Sequence, residues 1–593
     1  MSKGIPRPGR PGFAGLGAVA ALGLMLGWGM HPNRTASAAA NPDFGPNVLI
    51  FDPSMPQAKM QEQISRVYAA QANSQFGSGR SAILFKPGSY DLDVPIGFYT
   101  QVLGLGPSPD DVKITGNLHA GPERGNGALV TFWRSAEGLS VKPANGIVQW
   151  AVSQAAPFRR MHVQGDMVLH KNNGFASGGW MSDDRIDGKV SSGPQQQWIA
   201  RNSEWGGWNG SNWNMVFVGV SNPPAGEWPA RSITRIAQTP VVREKPFLQI
   251  DASGNYSVRL PSLRTNSSGV SWRDGSTPGK NIPISRFYIA RPDIDTARTI
   301  NAQLAKGRNL LLTPGIYSLT ETIRVVKPNT VVIGLGFATL VPANGITAMS
   351  TADVDGLVIS GLLFDAGAAS SPLLLEVGPP GSGSRHAANP ISLHDVFFRV
   401  GGAAEGRAKV DLRINSRDTI VDHTWIWRAD HGTGVGWTRN TSDNGLVVNG
   451  DNVTVYGLFV EHHQQFQTLW NGDGGRLYFY QCELPYDPPD QPGYSSAPGT
   501  NGWAAYKVAD HVASHEAWGL GIYAVFRNQG VNLTRAIEVP VKPGVKFHHA
   551  ITVSITENGE ISNVIDDTGG ATAPRVRVTP KVTDFPAPQS ARP

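Results

Sequence analysis

Two glutamates carry the densest chemistry in this chain. Glu461 opens the run Glu461-His462-His463-Gln464-Gln465-Phe466-Gln467-Thr468-Leu469-Trp470-Asn471. Glu483 sits in Gln481-Cys482-Glu483-Leu484-Pro485-Tyr486-Asp487. They are 22 positions apart (461 to 483), about one coil of a stacked-strand fold. That spacing predicts like positions on adjacent strands, ~4.8 Å apart plus side-chain spread. Two carboxyls so close resist ionising together; repulsion raises one pKa and leaves a protonated acid near neutral pH, as glycosidic cleavage requires. A ladder of acids at a sheet edge, or one paired with Arg428 or Arg476, is the reading without chemistry. His462 and His463, with Asp473, His515 and Glu516 downstream, invite a metal. Adjacent strand residues point to opposite faces, however, and no zinc or calcium ligand spacing is present. The sequence therefore predicts neither metal nor cofactor.

The first half of the chain offers amides, hydroxyls and aromatic rings. Gln154 lies in Trp150–Pro157, Ser177 in Gly174–Trp180, Gln197 in Gln195–Trp198 and Ser203 in Asn202–Trp205, with Trp208 and Trp213 close behind. Aromatic faces beside amides suit the apolar and polar sides of a sugar ring. An internal Asn/Gln/Ser ladder with packed tryptophans is the structural alternative.

The elements that must hold these groups occur twice. Phe85-Lys86-Pro87-Gly88-Ser89-Tyr90 leads to Val102–Gly106, and Leu312-Thr313-Pro314-Gly315-Ile316-Tyr317 leads to Val332–Gly336. An amphipathic helical stretch precedes each, through Met60, Ile64, Val67 and Tyr68 in one and Ile300, Leu304 and Leu310 in the other. Such repetition predicts a duplicated module with a groove between the copies. Downstream, Asp355–Asp365 and Asp451–Glu461 match position by position, with Gly361 and Gly457 turning the chain. Their spacing of 96 residues divides into four units of 24, a solenoid period, whereas propeller blades run to roughly 40–45 residues.

The expected organisation is an export signal over 1–40, a first β-helix module over 41–221, a connector with a small hairpin over 222–285, a second module over 286–579, and a loose tail over 580–593. Lys3, Arg7 and Arg10 precede the apolar Phe13–Trp28 run, and Ala36–Ala40 offers small-residue cleavage sites. Removing that segment takes away Lys3, Arg7, Arg10 and Arg34, so the formal charge falls from +5 to +1. A nearly neutral mature protein gives no electrostatic case for nucleic acid, and a neutral partner fits better. Cys482 is the only cysteine, so no intramolecular disulfide forms.

Together, Trp150–Pro157, Ser191–Phe217, the paired Pro-Gly-x-Tyr elements and Tyr456–Pro488 resemble glycoside hydrolase family 55, the exported exo-β-1,3-glucanases or laminarinases. The resemblance spans roughly Asn41 to Gly570. It implies an all-β fold of two tandem right-handed parallel β-helices side by side, pectin-lyase-like, each with a short N-terminal helix. It also implies inversion from the non-reducing end of a neutral β-1,3-glucan by a secreted enzyme; a two-module monomer needs no partner to form its site, and no membrane partner is expected after signal removal. Carried over by motif, Glu483 is the general acid and Glu461 helps hold the attacking water. Gln154 and Ser177 grip that water, with Gln197 and Ser203 as the alternative pair. Trp427, Trp470 and Tyr486 are expected to bind sugar. Two other readings stay open: a polysaccharide lyase using Asp183, Asp184, Arg185 and Asp187 as a calcium and base cluster, and a non-catalytic glycan-binding solenoid.

Overall fold

The computed structural model describes residues 42–572 and 578–587. The expected export signal lies outside them. No helix among the described residues is long and apolar enough to cross a membrane.

Each module begins as the duplicated motif prescribes. Helix α1 (Gln57–Gln71) buries Met60 and Ile64, and helix α2 (Ala297–Ala305) buries Ile300 and Leu304. Leu310 belongs to the following strand, Asn309–Leu312, and not to the helix. The Pro-Gly-x-Tyr element then turns the chain. A Cβ on Gly88 or Gly315 would collide with Pro53 or Pro292. The tyrosine hydroxyl ties the turn to the preceding strand: Tyr90 donates to Lys86 O (2.8 Å), and Tyr317 donates to Thr313 O (3.0 Å) and Ala290 O (2.8 Å).

From there both halves wind as right-handed parallel β-helices. One long sheet runs from Val48–Phe51 to Ile233–Ile236, so the first stack extends past the expected boundary at 221. The second runs from Phe287–Ala290 to Gly544–Ser554. Between them, Phe247–Ile250 pairs antiparallel with Tyr256–Pro261, and Thr239–Arg243 with Leu263–Ser267. The end of the chain departs from the loose tail expected over 580–593: Lys581–Phe585 pairs antiparallel with Gly544–Ser554 and covers the last parallel strand. An uncapped strand edge is a pairing hazard that such a segment removes.

The register also corrects the repeat length. Asp365 pairs with Arg399, Arg399 with Trp427 and Trp427 with Glu461. The 96 residues are therefore three coils of 34, 28 and 34, not four of 24. Strand ends stay aligned while the loops between them differ in length.

Midway along each strand from Val358–Asp365 to Gly475–Glu483 in the long sheet of the second module, one residue takes a left-handed conformation and bends the strand. Gly361 and Gly457 do so at φ 68° and 65°, and Asp395, His423 and Phe479 fill the same corner on neighbouring coils. The bends face the first module. Trp180 stacks on His423 at 5.0 Å, and a Cβ on Gly457 would strike the Trp180 ring.

Ion pairs without solvent join the modules here. Arg159 donates to Asp395 (2.8 Å) and Asp422 (2.9 Å); Arg201 holds Asp422 (2.9 Å) and Glu244 (2.7 Å); Lys245 holds Glu137 (2.7 Å) and Asp395 (3.0 Å). Burial alone would raise the Asp422 pKa, but Arg201 and Arg159 more than offset it and keep the carboxylate ionised. Breaking a buried pair strands a charge, which costs about 3–5 kcal/mol. Arg201→Ala is accordingly expected to lower the unfolding free energy by about that amount, read as a shift in the urea midpoint; an unchanged midpoint would mean the network adds nothing to cohesion.

Candidate active site

Parallel stacking brings the glutamates together. The strands Ile420–Arg428, Thr454–Glu461, Gly475–Glu483 and Ser514–Ala524 lie side by side, and their ends form a row: Trp427, Glu461, Glu483, Tyr523. Glu461 and Glu483 are direct register neighbours. Gln481, two residues before Glu483, shares its face of the strand.

Turns of the first module meet this row from across the interface. Gln154 precedes the strand Pro157–Arg159, Ser177 precedes Trp180–Ser182, and Gln197 opens Gln197–Arg201. Gln154 Nε2 donates to Glu461 Oε1 at 2.8 Å, a contact between modules 307 residues apart in sequence. Ser177 Oγ donates to Gln154 Oε1 at 3.0 Å, and Gln197 Nε2 donates to Ser177 O at 2.6 Å. Glu483 is held from its own module: Gln481 Nε2 donates to Oε1 (3.2 Å), and the Tyr486 hydroxyl donates to Oε2. Gln197 Oε1 and Gln481 Oε1 are buried without a hydrogen-bond partner in the protein.

Burial and mutual repulsion set the protonation of the pair. Burial pushes the Glu483 pKa up to about 7, against the Tyr486 hydrogen bond, with the Asp430 charge adding to the rise. Glu461 is raised well above the carboxylate range by burial and then by Glu483. The two share a proton near neutrality and titrate as a unit. One neutral acid beside one carboxylate, with an amide and a hydroxyl at hand, can donate a proton on one side and hold a water on the other.

A second tier braces the acid. Arg428 clasps Asp487 through two 2.9 Å hydrogen bonds, fixing the turn that carries Tyr486. Arg527 reaches Asp430 at 3.2 Å, and its guanidinium lies 5.3 Å from the Tyr486 ring centre. Of these, Gln481 was legible from its alternation with Glu483. Asp430 and Arg527 carry no sequence signal, because loops from non-adjacent coils bring them together.

Two expected site residues are elsewhere, and a third is at the site in another role. Ser203 follows the far end of its strand; its Oγ donates to Arg201 O (3.1 Å) and accepts from Asp184 N (3.2 Å). Trp470 points into the core of the second module, 4.7 Å from His515 and 6.3 Å from Tyr506. Trp427 adjoins Glu461 but is 1% exposed, stacked against Trp425 (4.8 Å) and Phe76 (6.3 Å), so it is a wall and not a sugar platform. The histidines diverge: His463 Nε2 meets Asp411 in the interior at 3.0 Å, whereas His462 stays beside Glu461. Asp183 and Asp184 are buried, accepting from Ser271 and from Met161 N, and offer no cradle for calcium and an acidic sugar. The cavity lined by Arg159, Arg160, Asp183, Glu244 and Lys245 belongs to the charge network between the modules.

Comparison with known proteins agrees with this fold. Residues 287–483 match the family model of the LAM55 pectate lyase-like domain. The chain is 46% identical over 590 residues to an exo-beta-1,3-glucanase of Streptomyces sp. (strain SirexAA-E / ActE), covering 97% of this chain and 96% of that one. The solved structure of sacteLam55A from Streptomyces sp. SirexAA-E superposes with a TM-score of 0.89 at 47% identity, over 92% of this chain and 99% of that one. A variant of sacteLam55A in complex with glucose matches equally well, at the same TM-score, identity and coverage. With nearly half its residues identical over almost its whole length, the chain belongs to glycoside hydrolase family 55.

Proposed function

We propose that this protein is a secreted hydrolase of neutral β-1,3-glucan that releases glucose from the non-reducing end with inversion. Glu483 donates the proton to the leaving oxygen. A water held by Glu461, Gln154 and Ser177 attacks the anomeric carbon from the opposite side and passes a proton to Glu461. The observation that carries this reading is the Gln154–Glu461 hydrogen bond, which makes the polar turns of one module part of the carboxyl site of the other. The exo-β-1,3-glucanase named among its relatives supplies the substrate class, and the glucose complex of a related variant agrees with a site built for that sugar. A groove completed within one chain needs no second copy, consistent with a monomer. Gln197, hydrogen-bonded to the Ser177 carbonyl, supports the water-holding turn, and Tyr486 orients the acid.

Laminarin incubated with residues 41–593 and followed by proton NMR should show α-glucose first. Glu483→Gln should lose at least about 10²-fold in rate, as expected on removing a general acid. Its melting temperature should not fall, because a neutral amide replaces a buried carboxyl. β-Glucose as first product would discard inversion, and full activity in the variant would discard Glu483.

The alkaline limb of the pH profile should lie above the ordinary carboxylate range, because burial raises both glutamates and activity needs one proton kept on the pair. The Tyr486 hydrogen bond favours ionised Glu483, so Tyr486→Phe raises that pKa and keeps the acid protonated to higher pH. Its alkaline limb should move upward while the rate at the optimum drops; a downward shift would contradict the assignment.

A further inference from the structure

His462 is a buried base to which this scheme gives no task. It follows Glu461 directly, and its backbone is left-handed at φ 67°, a conformation that non-glycine residues hold at a cost and that gathers at functional sites. Its Nδ1 lies 3.0 Å from Leu484 O. A carbonyl can only accept, so Nδ1 carries the hydrogen and Nε2 of the neutral ring keeps its lone pair. That nitrogen sits 3.9 Å from Glu461 Oε2 and 3.9 Å from Asp430 Oδ1. Burial pushes the His462 pKa down to about 4, against the pull of Asp430, so the ring rests neutral and its imidazolium is a short-lived carrier. The other charged or titratable groups around it are Arg428, which donates to its carbonyl at 3.1 Å, Asp487, which Arg428 holds, and His431, whose Nδ1 lies 2.8 Å from Asp430 Oδ1. The Tyr486 ring abuts it edge-on at 4.4 Å.

Exposure rises from His462 outward. The side chains of Glu461 and His462 are 4% and 2% exposed, Asp430 is 17% exposed and its partner Arg527 is 49% exposed. Each turnover loads one proton on Glu461, which must shed it before the next water can be activated. Gln154, bound to the other oxygen of Glu461, is an amide and a poor proton carrier.

We propose that His462 carries this proton out of the site, from Glu461 to Asp430 and then to solvent. This rests on Glu461 as the group that receives the water's proton. In the step, Glu461 Oε2–H gives its proton to His462 Nε2 while Nδ1–H stays on Leu484 O. The imidazolium then passes Nε2–H to Asp430 Oδ1, which releases it to water. Glu483 takes a proton back from solvent, so the net change is one water added across the glycosidic bond. A small side-chain rotation or one bridging water closes each 3.9 Å gap.

Two variants separate proton transfer from packing. His462→Asn tolerates the left-handed backbone and can still donate to Leu484 O, but has no basic atom. His462→Gly relaxes the backbone and leaves room for a small heterocycle. With laminarin as substrate, His462→Asn should lose about tenfold in kcat with KM changed by less than about twofold. His462→Gly should be as slow, and imidazole should restore its kcat in proportion to free base. Pyrrole, with the same ring and N–H but no basic nitrogen, should not. Wild-type kcat in His462→Asn, equal rescue by pyrrole, or slow variants with raised KM that neither heterocycle revives would each overturn the proposal. Glu461→Gln in the same assay tests the parent reading separately: full activity there removes Glu461 as the proton's recipient, whatever His462 does.

Discussion

The Arg201 guanidinium has no contact with solvent, and it is shared between Asp422 of the second module and Glu244 of the connector. With Arg159 and Lys245 it forms a charged seam that everything at the carboxyl pair depends on. Burying so many charges is a poor route to stability, since apolar residues of like volume often do as well. Its value here is positional. Charged hydrogen bonds have narrow geometry, so two smooth sheets that could slide past one another are held at one offset. That offset puts Gln154 within 2.8 Å of Glu461.

The site itself runs against stability. Two buried carboxyls side by side, a left-handed histidine and unpaired amide oxygens on Gln197 and Gln481 each raise the energy of the folded chain. Long parallel ladders and two apolar cores absorb this cost. The braces are local: Arg428 on Asp487 and Arg527 on Asp430 hold loops from different coils, so the acid's partner tyrosine does not rely on one flexible turn.

Much of the architecture was legible because stacking is periodic. The doubled Pro-Gly-x-Tyr element announced two modules, and the interval from Glu461 to Glu483 announced neighbours on adjacent coils. The same logic misled where coils vary: 96 residues divide evenly by 24, yet the chain makes three coils there, because loop length is free while strand register is not. Trp470 shows a second limit. Sequence places it near the acids but does not say which side of a solenoid wall a residue faces when the flanking strand is only Thr468–Trp470. Ser203 was drawn in by likeness of composition, although it lies at the far end of the strand that Gln197 begins. The strand Lys581–Phe585 was hidden because its partner is the last coil, a contact that local propensity does not register.

The unequal coils have an evolutionary corollary. From Trp427 to Glu461, Glu483 and Tyr523 the chain takes 34, 22 and 40 residues to complete a turn, yet each turn ends in the same row. Insertions and deletions are therefore extruded into the loops around the groove and leave the carboxyls in place. A lineage built this way can reshape the rim for branched, shorter or chemically decorated polymers by adding or trimming chain, without paired changes at the acids. Reaction and selectivity lie on separate mutational axes, and a library of loop-length variants would explore the second while leaving the first intact.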